Sequence, residues 1–315
     1  MKKLAFLFAA VLLTTFSAKT FAQGTGVAPS IGSTHQYYVN GTFGTPTAAG
    51  ETSTYTWWIS TTPADLSTRT TLTTDFTVTA NGADYDKPTS GTDGGSGIEI
   101  KWNPTASLSN HYYLVVQEVG AAPLCTNIKA VAILPTNNFK LLFEAIAADG
   151  TTLTDDPTRC PAPIALSASG ATIAYNYGTD NFMFKLTAQN LYSSWSFIGT
   201  IAKTLSSPGF TVEYKIGEAG TFGAWTGEPN LTVPANTTGT EVVYFRVNVD
   251  NGTSAGTYEE NTAAKTITLT LSGVEDEGGN AVTEINNNNS DNITADPVQT
   301  QNIQARPATT TIGFN

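Results

Sequence analysis

Short alternating runs, separated by turn residues, follow one another along most of the chain. Tyr55-Thr56-Trp57-Trp58-Ile59 sends Tyr55, Trp57 and Ile59 to one face and Thr56 and Trp58 to the other. Phe76-Thr77-Val78 is a second run, and in 98–102 Ile98, Ile100 and Trp102 share a face. Residues 112–119 and 129–134 complete a first set, which Pro135 ends because proline has no amide hydrogen for a ladder. A second set starts near Phe139, with strands expected at 139–146, 171–177, 182–186 and 210–216. Residues 241–249 alternate most cleanly, with Val243, Phe245, Val247 and Val249 facing one way. Ile267, Leu269 and Leu271 mark the next strand, and 299–304 the last. A helical period is nearly absent; residues 142–148 alone read as either a helical turn or a strand end. Asn286 to Asn289 make 285–291 a loop, and no short repeat suggests a solenoid. The pattern predicts an all-β chain of sandwich modules.

The first residues break this pattern. Lys2 and Lys3 precede an apolar stretch, 4–13, too short to span a bilayer, and Thr20-Phe21-Ala22 offers small residues for cleavage before Gln23. Residues 1–22 therefore read as a signal peptide and the protein as exported, to the periplasm, the cell surface or the medium. No later stretch is apolar enough for a membrane span. Residues 23–34, rich in Gly, Ser and Pro, read as a flexible lead-in. The remaining length exceeds one sandwich of about 100 residues. The expected division is 35–136 and 137–315, the second with the Asn-rich loop and a short C-terminal tail.

Loss of Lys2, Lys3 and Lys19 with the signal peptide takes the net charge from −11 to −14. A chain this acidic does not bind nucleic acid by counterion release. Two cysteines, Cys125 and Cys160, allow one intramolecular bridge, the default in an oxidising compartment. It would cross the junction at 134–139 and hold two modules as a rigid rod. The alternative is two free thiols.

His35 and His111 are the only histidines and read as surface residues, since neither has a nucleophile and an orienting acid beside it in sequence. Asp84 and Asp86, or Asp155 and Asp156, could pair as in a glycosidase, but both sets sit in turn contexts. No cofactor is expected. Calcium is the minority alternative, at Asp149, Asp155 and Asp156 or at Glu275, Asp276, Glu277 and Asn280; ordinary acidic turns are the other reading of both sets. The stretch 91–97 lacks the lysine and helix of a phosphate loop and reads as a turn. Trp57 and Trp102 are expected in the core. Trp58, Trp195 and Trp225 are the candidate binding aromatics, able to stack on sugars or anchor an interface.

Three pieces of sequence carry a family resemblance: Tyr55-Thr56-Trp57; Ile98-Glu99-Ile100-Lys101-Trp102-Asn103; and Tyr113-Leu114-Val115-Val116 followed by Cys125 and Lys129-Ala130-Val131. They resemble the strands of PKD and related Ig-like domains in secreted and cell-surface proteins of Bacteroidetes-type bacteria. Residues 134–139, 273–280 and 306–309 resemble module junctions and ends in large gliding and adhesion-related proteins of that kind. The resemblance implies spacer, adhesive or surface-assembly roles, acting on other envelope proteins or on glycans. It departs from those proteins in having only two modules, and it shows no basic, glycine-bearing C-terminal sorting module. The expected function is a non-enzymatic structural or adhesive protein, with a carbohydrate-binding module as the alternative.

Overall fold

The computed structural model describes residues 24–39, 53–71, 74–78, 85–90, 95–120, 125–153, 157–204, 210–225, 230–236, 238–252, 263–286 and 298–307. Within them all helix or strand assignments are strand. Residues 142–148, where a helical turn was one reading, belong to strand and turn.

Before the junction lie β1 (Gly24–Thr25), β2 (Ala28–Pro29), β3 (Thr34–Tyr38), β4 (Thr54–Ser60), β5 (Phe76–Val78), β6 (Thr89–Ser90), β7 (Gly97–Trp102), β8 (Tyr112–Val119) and β9 (Thr126–Ile133). One sheet has the order β3-β7-β5 and the other β6-β4-β8-β9. These are the B-E-D and C′-C-F-G orders of an immunoglobulin sandwich. Alternate residues from both sheets fill the core: Tyr55, Trp57 and Ile59 from β4, Ile98, Ile100 and Trp102 from β7, Tyr112, Leu114 and Val116 from β8. Trp57 occupies the strand-C position of the buried immunoglobulin tryptophan, and its Nε1 donates to the Gly95 carbonyl at 2.8 Å. Tyr112, at the start of the F-equivalent strand, accepts the Ser107 amide at 2.8 Å and donates to Asp75 at 2.9 Å. That is a tyrosine corner, and sequence reasoning did not single it out.

After the junction come β10 (Lys140–Ile146), β11 (Thr158–Arg159), β12 (Ala165–Ser169), β13 (Thr172–Asn176), β14 (Thr179–Gln189), β15 (Trp195–Lys203), β16 (Phe210–Ile216), β17 (Gly223–Ala224), β18 (Leu231–Val233), β19 (Thr240–Asp250), β20 (Lys265–Asp276), β21 (Glu284–Asn286) and β22 (Val298–Ile303). A sheet of order β17-β16-β19-β14-β10-β21 faces one of order β11-β22-β20-β15-β18. Phe143, Phe182, Phe184, Leu186, Val243, Phe245, Val247, Trp195, Phe197, Leu269 and Leu271 form the core between them. This core is separate from the first. β12 and β13 pair only with each other.

Within the expected lead-in, residues 29–33 are buried, Ser30, Ile31 and Ser33 among them. The Ile31 amide donates to the Thr136 carbonyl at 3.0 Å and the Thr136 amide to the Pro29 carbonyl at 2.8 Å. Gly and Ser are small enough to lie where the ends of both sandwiches converge. Gly32 has φ of +80°, and a Cβ there would meet Tyr192 of the second sandwich at 3.2 Å. The signal-like residues and most of the Asn-rich loop lie outside the described residues.

Candidate functional site

The three candidate tryptophans do not share a surface. Trp58 points away from the core face holding Trp57, as alternation requires, but residues 61–71 fold over it. Its Nε1 donates to the Leu66 carbonyl at 2.8 Å, and the Arg69 guanidinium lies 4.6 Å from its ring, itself paired with Asp86. Trp58 is 3% exposed. Trp195 is 1% exposed, wedged between Phe139 and Phe197 in the second core. The expectation of exposed stacking aromatics is corrected at both positions: a covering loop and a sheet interface remove the rings from solvent. Trp225 is half-buried against Phe245, with ring centroids 5.1 Å apart, over Gly199.

The histidines lie apart on the first sandwich. His35 Nε2 is 3.0 Å from Ser33 Oγ, but that hydroxyl is buried and donates to the Ser30 carbonyl, so it offers no nucleophile. His111 rims an open cleft of about 500 Å³ shared with Asp75, Ser107 and Ser109. Asp75 is held by Tyr112, Ser107 Oγ accepts the Asn110 amide at 3.0 Å, and the His111 ring lies against Tyr113. These side chains are not linked in the nucleophile–base–acid order of a hydrolase.

Among the described residues, the candidate calcium ligands are held in turns. Asp149 accepts the Thr151 amide at 3.0 Å, which holds its carboxyl below the usual range. Asp155 and Asp156 lie outside the described residues. The other acidic set forms the joint between the sandwiches. Asp276 is buried, and its Oδ1 accepts the amides of Gly278 at 2.9 Å and Asn280 at 2.8 Å. Burial raises its pKa above the usual carboxylate value despite these donors. Glu277 accepts from Ser194 at 2.6 Å. A cation here would have to displace N–H groups from the carboxylate it needs. Asn280 Nδ2 instead reaches across to the Pro104 carbonyl of the first sandwich at 2.8 Å. A Cβ on Gly278 would stand 2.6 Å from the same oxygen, so only glycine permits this approach. The linker adds Asn137 to the Ala281 carbonyl at 2.7 Å and Asn138 to Ser30 at 2.8 Å. Among the described residues no group of three His, Cys, Asp or Glu converges as a metal site.

Cys125 and Cys160 are free and exposed, so the expected bridge is not formed. Chain direction explains it. β9 starts just after Cys125 and runs toward the joint, a path of roughly 25 Å at the usual strand rise. Cys160 follows Arg159, whose partner Ile303 pairs with Lys265, the start of β20. β20 ends at Asp276 in the joint, roughly 35 Å away. The thiols therefore occupy the two far ends, well beyond the 7 Å or so a disulfide tolerates.

At the far end of the second sandwich β12 and β13 form a hairpin with all ten strand residues exposed. Gly170, with φ of +61°, opens its two-residue turn. Leu166 pairs with Tyr175 and Ala168 with Ile173, so one face is apolar and the other carries Ser167, Ser169 and Thr172. Its base is firmly held. Arg306 donates to the Ala162 carbonyl at 2.7 Å and the Tyr177 carbonyl at 2.8 Å, one on each leg. Buried Asp180 accepts the Ala162 amide at 2.6 Å and Asn251 at 2.9 Å, and Asn251 is bonded in turn to buried Lys265. On the first sandwich an open slot of about 330 Å³ lies between the edges β3 and β9, lined by Val39, Trp57, Leu114, Val116 and Val131 with Lys129. No family model matches the chain. No curated protein matches it in sequence. Among solved structures it is similar to the CupB6 tip adhesin of Pseudomonas aeruginosa at 8% identity, over 85% of this chain and 95% of that one, with a TM-score of 0.29. The collagen adhesin CNA of S. aureus shows 7% identity over 80% and 81%, with a TM-score of 0.23. The CooA pilin subunit of enterotoxigenic Escherichia coli shows 11% identity over 52% of this chain and 99% of that one, with a TM-score of 0.23. Scores of this size assign no function.

Proposed function

We propose that the chain is an exported, non-enzymatic structural or adhesive protein of the cell surface, acting through protein–protein interfaces. The observation that carries this reading is the built joint. Asn280 and Gly278 on Pro104, Gly32 on Tyr192 and the two linker asparagines fix two sandwiches at their ends. Such a joint restrains the inter-domain motion expected of a short linker. It leaves both far ends clear, and one of them carries the anchored apolar hairpin. Rigid display of a remote surface suits assembly or adhesion. The partners are other envelope proteins; glycan binding through tryptophans is disfavoured by the burial of Trp58 and Trp195. No cofactor takes part. Protease treatment of intact producing cells tests the reading. The chain should be cut or labelled from outside, and protection until the cells are broken open would refute surface display.

A further inference from the structure

We infer that copies of this chain associate head to tail, the β12–β13 hairpin of one copy docking along the β9 edge and slot of the next. The inference names the partner within the surface-assembly reading above. Three observations converge on it. The first is the hairpin itself. An isolated two-stranded ribbon is marginal in water, yet this one holds Leu166 66% and Ile173 56% exposed on a single face. The Arg306 and Asp180 contacts fix both its legs, so the ribbon is presented rather than loose. The second is the receiving surface. β9 is the last strand of its sheet, residues 126–130 are all exposed, and no described strand pairs with its outer edge. Edges of this kind accept an added strand. The slot beside it supplies apolar walls.

The third observation is charge and position. Residues 160–178 carry no charge on a chain of net −11, and Lys129, a cation, is the one charge in 125–136. The two surfaces therefore meet without like-charge repulsion. The hairpin belongs to the second sandwich and the β9 edge to the first, so the contact joins two different patches and is heterologous.

The contact is small. A ribbon five residues long has a face of about 17 Å by 10 Å, far short of the roughly 800 Å² per partner of a stable complex. The cysteines sit where they can lock it. Cys125 immediately precedes β9, and Cys160 lies five residues before the start of β12; both are free and exposed. With a small-molecule disulfide as oxidant, the two thiols lose their protons and two electrons. The Sγ–Sγ bond forms between copies as the oxidant's S–S bond breaks to two thiols.

The test uses the purified full chain in a buffer of oxidised and reduced glutathione. Cys125→Ser and Cys160→Ser variants are incubated separately and mixed. The mixture should yield a dimer joined through Cys160 of one variant and Cys125 of the other, about tenfold faster than either variant alone forms symmetric dimers. Adding Leu166→Asp and Ile173→Asp should return the mixed rate to the symmetric level, with alkylation of the thiols by iodoacetamide unchanged. Equal rates in mixed and separate samples would overturn the inference, as would a mixed rate indifferent to the hairpin changes. Surface display, tested on intact cells, can stand or fall independently of this result.

Discussion

The side-chain amide of Asn280 donates to the backbone carbonyl of Pro104 at 2.8 Å, across 176 residues of sequence and from one sandwich to the other. With Gly278 closing on the same carbonyl, it makes the acidic turn after β20 a mechanical part. Gly278→Val should force the joint open, because the new Cβ would overlap the Pro104 oxygen. Small-angle scattering should show a broadened distribution of overall dimensions, while the sandwich cores melt as before. Asn280→Ala should act in the same direction more weakly, with a loss of about 0.5–1.5 kcal/mol.

Asp276 should make the stability of the chain depend on pH. Its pKa in the folded chain is raised above the ordinary 3.8, chiefly by burial. The folded state therefore binds its proton more readily than the unfolded state does. Its stabilising effect is complete below the unfolded value and is lost as pH rises through the raised one. Asp276→Asn should flatten the melting temperature across that window. An unchanged slope would place the titrating group elsewhere.

Tyr112 gives a second pH dependence, at the alkaline end. Burial pushes its phenol up to about 12. Its contribution is present below the ordinary phenol value of 10.0 and disappears as pH rises through about 12. Tyr112→Phe leaves the Ser107 amide and Asp75 without this partner and should cost about 1–3 kcal/mol at neutral pH. A urea melt of the variant measures the cost.

Trp57→Ala should cost about 3–5 kcal/mol, as for other large core aromatics. Trp58→Ala should cost on the order of 2–4 kcal/mol and also release residues 61–71, since the ring is the floor on which Arg69 and the Leu66 carbonyl rest. Limited proteolysis should cut that segment in the Trp58 variant before it does so in the Trp57 variant.

Gly199→Val should displace Trp225, because a Cβ at Gly199 would lie 2.9 Å from the indole ring that packs on Phe245. A red-shifted tryptophan emission and a loss of about 1–3 kcal/mol are expected.

These details show how far the sequence could be read. Period-two alternation placed Tyr55, Trp57 and Ile59 on the core face, and placed Trp58 opposite, because side-chain direction in a strand is a local property. It could not show that residues 61–71 return to cover Trp58. β15 is not legible in the sequence because its alternation breaks at the irregularity between Ser196 and Ile198 and again at Gly199. β12 is hidden because Ala and Ser are weak strand formers; only Leu166, Ala168, Ile173 and Tyr175 around Gly170 carry a signal. Glu275 to Asn280 has the composition of a cation loop, and its N–H donors and its Pro104 partner are visible only in three dimensions. The same holds for 29–33, whose Gly and Ser content reads as mobile until Thr136 and Tyr192 close over it.

The end-to-end joint is tested most directly by the distance between the two thiols. Spin labels on Cys125 and Cys160 of the reduced chain, diluted with unlabelled protein, report it by pulsed electron resonance. Strand lengths place the labels on the order of 40–60 Å apart within one molecule. A separation under about 20 Å, or a Cys125–Cys160 disulfide within a single chain, would contradict the account.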